Sequence, residues 1–249
     1  MLWPALVAIA LAVALTCGCA AGKQAEKTRQ TQYHYQMGAN FFAEQMIPQA
    51  LRELLLAVEA DPGNADALHL LGFIYMGRRD YTRAVQYYRQ ATAARPDFYI
   101  CLNNLGTALM ASDRWEEAIE IYEELINKPM YNTPELAYNN LGWSYFMAGQ
   151  SRRAEEMLEM AIFLKPELCL AYNNLGQVQT KMTNAASAQR NFVHAIKRCP
   201  NFAEPHFNLA QILRQREDPD ARLYYQRCYE LSAETTLGDR CRSYLEVYP

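Results

Sequence analysis

The sequence predicts an all-α solenoid of six helix–turn–helix repeats closed by a C-terminal capping helix. Three observations carry this prediction. Gly38, Gly72, Gly106, Gly142 and Gly176 recur at about 34 residues, and Ala210 takes the sixth slot. Ala50, Ala84, Ala118, Ala154 and Ala188 follow the glycines at a constant offset. Pro62, Pro96, Pro166 and Pro200 close four of the units. Self-similarity at such a period marks supersecondary units that bury their apolar faces only by stacking.

In chain order, residues 1–18 read as a leader. Residues 2–15 are an unbroken apolar run. A membrane span needs about 20 such residues, so this run is too short to cross and has the length of a signal-peptide core. Residues 19–30 are polar, with Lys23, Lys27 and Arg29. They read as a tether that reaches at most about 40 Å when extended. The repeats occupy 31–235, divided as 31–64, 65–98, 99–134, 135–168, 169–202 and 203–235. Each first helix carries apolar residues on one face, such as Leu68, Leu71 and Tyr75, or Tyr138, Leu141 and Tyr145. The small residue at the eighth position lets the second helix approach closely. Second helices repeat the spacing, as in Ala84, Tyr88 and Ala91, and the prolines end them. The third unit carries two extra residues and the sixth is one short before Ala221. Residues 236–249, with Leu237, Tyr244, Leu245 and Val247 as apolar residues, form the cap. Repeats and cap use nearly every residue after 30, so no second domain fits.

A net charge of −3 gives no basic footprint for nucleic acid. Residues 99–168 are acidic and 169–249 slightly basic, which solvated helix faces explain. Cys17 leaves with the leader. Of the rest, Cys169 opens the first helix of the fifth unit and Cys199 ends its second helix, so a helical hairpin brings them together. Cys228 and Cys241 would tie the last unit to the cap, and Cys101 is left over. A disulfide over a loop of about 31 residues stabilises by roughly 3–4 kcal/mol in the chain-entropy picture, although sequence leaves the connectivity open. No cysteine set has zinc spacing. His34 and His206 take core slots, and no nucleophile–base pair or phosphate-binding glycine loop is present. We therefore expect no catalytic residue, cofactor or metal: the chain is not expected to be an enzyme.

The small residue, alanine and proline at this period resemble the tetratricopeptide repeat. That resemblance implies a right-handed superhelix built to hold another chain, with the sixth position of each first helix on its concave face. Here the sixth positions are Gln36, Leu70, Asn104, Asn140, Asn174 and Asn208, and the fifth add Asn103, Asn139 and Asn173. Asparagine is a worse helix former than alanine by about 0.6 kcal/mol, so this row needs an offset. One reading pairs the amides with the backbone of an extended partner. The other pairs them with neighbouring helix backbones. In the first two repeats the same face carries Tyr35, Phe42, His69, Leu70, Phe73 and Met76, and Trp143, Phe146 and Met147 extend this apolar character. Such a patch marks an interaction site, with packing between repeats as the alternative.

Leu15-Thr-Cys-Gly-Cys19 resembles the bacterial lipoprotein signal, which implies lipidation of Cys19. An ordinary cleaved secretory signal is the alternative. Alanine rather than aspartate at position 20 implies the outer membrane. The third unit ends in Asn127-Lys-Pro-Met-Tyr-Asn-Thr-Pro-Glu-Leu-Ala137, followed by Tyr138-Asn-Asn-Leu-Gly142. This insertion, with its Pro-x-Tyr-x-x-Pro core, resembles the type IV pilus pilotins, the PilF/PilW/Tgl lipoproteins, over residues 31–235. The resemblance implies a lipid-anchored protein on the periplasmic face of the outer membrane. Its partner would be the PilQ-like pilus secretin, whose localisation and multimer assembly it would promote, supporting pilus-dependent motility. Another repeat lipoprotein of envelope assembly, serving barrel assembly or polysaccharide export, is the alternative.

Overall fold

The computed structural model describes residues 25–247. The leader, Cys19 and the start of the tether lie outside the described residues, as do the last two residues of the cap. Within them the protein is all helix, with thirteen helices and no strand. Helix α1 spans residues 25–43. It is followed by α2 (Ile47–Ala60), α3 (Ala65–Gly77), α4 (Tyr81–Ala94), α5 (Tyr99–Ala111), α6 (Trp115–Ile126) and α7 (Pro134–Met147). Then come α8 (Ser151–Leu164), α9 (Cys169–Lys181), α10 (Ala185–Arg198), α11 (Ala203–Gln215), α12 (Ala221–Ser232) and α13 (Thr236–Val247). The expected tether is corrected at its end. Residues 25–30 are helical and prolong α1, because Ala, Glu, Lys, Arg and Gln are good helix formers and Arg29 pairs with Glu26 one turn away at 2.7 Å.

The described residues form two compact units that divide between Ser112 and Asp113. The first holds α1–α5 and the second α6–α13, so the division falls inside the third repeat. In the first unit, α1 packs on α2 through Gly38, where a Cβ would stand 2.7 Å from Leu54 Cγ. α3 packs on α4 through Gly72, where it would stand 2.6 Å from the Tyr88 ring. In the second unit the same contact joins Gly142 to Leu158 at 2.7 Å and Gly176 to Phe192 at 2.5 Å. The large partner always lies sixteen residues after the glycine. Leu54, Tyr88, Leu158 and Phe192 are all at most 1% exposed and form the centre of each repeat.

Local chemistry sets the helix ends. Asn64, Asp80 and Asn184 accept from Ala67, Arg83 and Ser187 backbone N–H groups as N-caps of α3, α4 and α10. Pro62, Pro96, Pro166 and Pro200 all fall in the connections between repeats, where no helical N–H is needed. The longer third connection, 127–133, buries Tyr131, whose N–H donates to Lys128 O at 3.1 Å. The sixth repeat differs from expectation in its turn. α12 starts at Ala221 itself, because Asp218-Pro-Asp220 replaces the opening turn present in the other second helices.

Both cysteine pairs are bonded. Cys169–Cys199 and Cys228–Cys241 have Cα separations of 6.0 and 6.1 Å, inside the range that a disulfide spans. The first closes the α9–α10 hairpin at its open end. The second fixes α13 to α12, where Phe207, Tyr225, Cys228 and Cys241 share one core. Cys101 is free and buried, and burial pushes its thiol up to about 12.

Six turns join first to second helices, and a residue with left-handed backbone recurs in each: Gln45, Arg79, Asp113, Gly149, Thr183 and Glu217. A β-branched residue at positive φ is an outlier, and Thr183 sits at φ 62°. The left-handed conformation costs an L-residue about 1–2 kcal/mol, partly offset by the flexibility that glycine brings to the unfolded chain. Thr183→Gly should therefore stabilise by roughly 0.5–1 kcal/mol. Thermal melts would show a higher midpoint, and an unchanged or lower midpoint would remove the strain.

Candidate functional site

The candidate site is the face built by the first helices of the repeats, taken separately in each unit. In the first unit, Asn104 on α5 donates from Nδ2 to His69 Nε2 on α3 at 2.9 Å. The imidazole is thus neutral with its proton on Nδ1. Burial holds it below the ordinary histidine range; Asp66 opposes that shift and Arg95 adds to it. The ring lies 4.8 Å from Phe98 and 5.7 Å from Tyr88. Asp66 at the start of α3 binds Arg95 after α4 through two bonds of 3.0 and 2.5 Å, and the Arg95 guanidinium covers Phe98 at 4.6 Å. Tyr35 is half-buried beside this pair; burial first, then Asp66, pushes its hydroxyl up. Phe73 is 50% exposed and meets Phe42 edge-on at 5.7 Å. Leu70 and Met76 are half-buried beside it in sequence. Of the residues expected on the apolar face, Phe73 is the exposed one, and Tyr35, Phe42, His69, Leu70 and Met76 are half-buried.

In the second unit the asparagines depart from both readings offered by the sequence. Asn174 Nδ2 donates to Asn139 Oδ1 at 3.0 Å, and Asn208 Nδ2 donates to Asn173 Oδ1 at 3.0 Å. Asn139 Nδ2 donates to Asn140 Oδ1, and Asn140 Nδ2 to Tyr122 Oη, both at 3.1 Å. Asn139, Asn173 and Asn174 are buried. The amides bond to one another, side chain to side chain, and not to helix backbones. The offset is constant at 35 residues, and Asn104–His69 shares it. Asn104, Asn174 and Asn208 thus each reach the fifth position of the repeat before, whereas Asn140 turns to Tyr122. As readers of a partner's backbone, Asn139, Asn173 and Asn174 are therefore corrected: they are buried, and Asn139 Nδ2 and Oδ1, Asn173 Oδ1 and Asn174 Nδ2 are already bonded within the stack. Asn103, Asn104, Asn140 and Asn208 remain half-buried.

One turn further along the same helices the surface opens. A cavity of about 450 Å³ has Phe146, Phe192 and Ile212 as its apolar lining. Gln177, Asn208, Gln211 and Gln215 form a polar rim, and Lys181 supplies the one charge in the lining. Trp143, expected on this face, is half-buried and packs on Phe146 at 5.3 Å between centroids. Gln177, Lys181, Gln211 and Gln215 were missed by the sequence reading. Their signal was present: they follow Asn174 and Asn208 by three and seven residues, the spacing of one helical stripe. Among the described residues no cluster of His, Cys, Asp or Glu could hold a metal ion.

Such a stack of helical hairpins with an open polar and apolar face defines a repeat scaffold. Residues 35–97, 69–133 and 103–168 match the tetratricopeptide repeat family, and the chain belongs to it. Protein O-mannosyl-transferase TMTC3 from Homo sapiens is 25% identical over 73% of this chain, but that match spans only 22% of the relative's length. Type IV pilus assembly protein PilF from Pseudomonas aeruginosa is 25% identical over 80% of this chain and 77% of its own. Among solved structures, PilW, described as a widely conserved type IV pilus biogenesis factor, superposes with a TM-score of 0.72 at 21% identity. It covers 84% of this chain and 97% of its own.

The amide pairs give a direct test. Asn139→Ala strands the buried Asn174 donor, and a buried unsatisfied group costs about 1–3 kcal/mol. The single variants Asn139→Ala and Asn174→Ala should each lower the melting temperature, and the double variant should cost clearly less than their sum. Additive losses in the double-mutant cycle would show that the pair contributes nothing to stability.

Proposed function

We propose that this protein is a lipid-anchored docking scaffold of type IV pilus biogenesis. Cys19 carries the lipid, and the repeats sit at the periplasmic face of the outer membrane. They bind the PilQ-like secretin and promote its localisation and multimer assembly, on which pili and pilus-dependent motility depend. The observation that carries this reading is the extent of the match to PilF, 80% of this chain against 77% of that one. Most of one protein corresponds to most of the other, whereas the transferase match is a short stretch of a longer chain. The leader, the Leu15-Thr-Cys-Gly-Cys19 segment and the insertion around Tyr131 support it. The protein acts by holding a partner: its faces present apolar side chains and amides.

Deleting the gene should reduce the denaturation-resistant secretin multimer while monomer persists, and pili should disappear. Normal multimer with defective outer-membrane barrels or polysaccharide would move the protein to another branch of envelope assembly.

The anchor is tested separately. Palmitate label should enter the wild-type protein and be absent from Cys19→Ala, with wild type sedimenting in the outer-membrane fraction. Equal labelling of both, or of neither, would remove the lipid.

A further inference from the structure

The first unit begins in an edge that departs from the exposure pattern of the other repeats. Tyr33 holds the third position of its repeat. In the other five repeats that position is Ala67, Cys101, Ala137, Ala171 and Pro205, and all five are buried. Cys101 shows what the position meets: its Sγ donates to Tyr88 O, on the second helix of the repeat before, at 3.7 Å. Among the described residues no helix precedes α1, and Tyr33 is 57% exposed. On α2, Leu55 and Leu56 are 43% and 37% exposed. Their counterparts in the second and third repeats are Arg89-Gln90 and Glu123-Glu124, and only the first repeat is apolar at both positions.

Contacts join the tyrosine to the leucines. The Tyr33 ring lies 5.4 Å from His34, and His34 Nδ1 bonds Glu53 Oε2 at 2.8 Å. Glu53 and Leu56 are three residues apart on α2, neighbours on one helical surface. The charges alongside are paired, Arg52 with Glu53 at 3.1 Å and Arg29 with Glu26 at 2.7 Å. This edge is also the part of the unit next to Cys19. Five residues separate Cys19 from α1, a reach of at most about 20 Å. α2 runs back along α1, and Asp61, just after α2, shares a cavity lining with Lys27, Thr28, Thr31 and Gln32. Leu55 and Leu56 thus lie on the half of α2 nearer the start of α1.

We propose that this edge rests in the surface of the membrane that holds the Cys19 lipid, with Tyr33, Leu55 and Leu56 entering the boundary between headgroups and acyl chains. This rests on the lipid anchor proposed above and adds a second contact between protein and bilayer. Tyrosine suits that boundary because its ring is apolar and its hydroxyl wet, and Arg52 can lay its stem along the surface while its head stays in water. Because the charges are paired, the contact is apolar and needs no anionic lipid. Three side chains are a small patch, but a lipid within about 20 Å makes their contact intramolecular and raises their effective concentration at the surface. The first unit is then held at a set angle to the membrane instead of swinging on its anchor.

Fluorescence quenching on the full mature chain tests this. Bimane is attached to Tyr33→Cys, Leu56→Cys or, as the control in the second repeat, Gln90→Cys; Cys101 is buried and stays unlabelled. Each protein is held on phosphatidylethanolamine–phosphatidylglycerol vesicles by its own lipid or, in parallel, by a histidine tag at residue 19 on a chelating lipid. Labels at 33 and 56 should be quenched by brominated acyl chains and be at least about twofold less accessible to iodide than the label at 90, as for groups sunk roughly 5–10 Å into the boundary. Exchanging phosphatidylglycerol for phosphatidylcholine should change neither result. Leu55→Arg with Leu56→Gln gives the first repeat the residues of the second, so it should fold and melt as wild type while the label at 33 loses its quenching by lipid. Labels at 33 and 56 as open to iodide as the label at 90 would overturn the proposal. So would shielding from iodide without quenching by lipid, which would mean that protein covers the edge, or unchanged quenching in the double variant. The anchor reading fails separately. Quenching by lipid in the tagged protein, with no palmitate on wild type, keeps this contact and removes the lipid. A palmitate-labelled protein whose labels stay open to iodide does the reverse.

Discussion

The close approach of paired helices at Gly38, Gly72, Gly142 and Gly176 is the constraint on which the rest depends. A Cβ at Gly38, Gly72, Gly142 or Gly176 would stand 2.5–2.7 Å from a side-chain carbon of the facing helix. That separation forces a shift in a core whose overpacking costs about 1–3 kcal/mol. Removing the Cβ lets a full Leu, Tyr or Phe lie across the helix axis. Each such side chain then seals its repeat while remaining almost wholly inaccessible to water. The period of the chain follows from this geometry: glycine, three-residue turn, alanine, large side chain, proline-bearing connection. Where the connection lengthens, at 127–133, the extra residues are anchored by burying Tyr131, so the next glycine contact, Gly142 with Leu158, is preserved.

Packing inside a repeat does not by itself orient one repeat on the next. The amide pairs answer that within each unit. A side-chain amide offers a donor and an acceptor, and a chain of them can link helix to helix without charge. Asn139, Asn173 and Asn174 surrender helix propensity and gain bonds in a buried place where an unmatched partner is costly. Three of the bonds, from Asn104, Asn174 and Asn208, run from the sixth position of one repeat to the fifth of the previous one and so tie one repeat to the next. His69 takes the place of an asparagine in the second repeat and accepts the same bond through Nε2. Its depressed basicity follows from that buried position.

The fold was almost fully legible in the sequence because glycine, alanine and proline act locally and recur with the repeat. The helix pairs, the buried Cys101 and both disulfides came from placing residues on that frame. Three things were not legible. Residues 25–30 are polar and read as a tether, yet polar residues of this kind are also good helix formers, and only continuity with α1 decides between the two. The sixth repeat's shortened α12 arises from Pro219, whose effect depends on where the turn closes. The sequence offered a partner's backbone or a neighbouring helix backbone as what the asparagines bond, and several of them bond one another's side chains instead. Sequence shows that amides recur, but whether they point at a neighbour or at an incoming chain depends on a difference of a few ångströms between adjacent helices.

That last correction changes where binding capacity lies. An amide already bonded and buried has nothing to give a partner without breaking the stack, so the asparagine row becomes the backing of the surface. The groups still able to exchange water for a partner are those one and two turns further along the same stripes. In the first unit this is Phe73, which keeps half its surface in water beside Phe42. In the second it is the rim of Gln177, Lys181, Gln211 and Gln215 around Phe146 and Ile212. The two faces therefore differ in chemistry although they grow from the same repeat: one is apolar and aromatic, the other edged by side-chain amides with a single lysine. Within each unit the bonded row behind the surface fixes the helices that carry it, and preorganisation of this kind is what lets modest contacts discriminate between ligands.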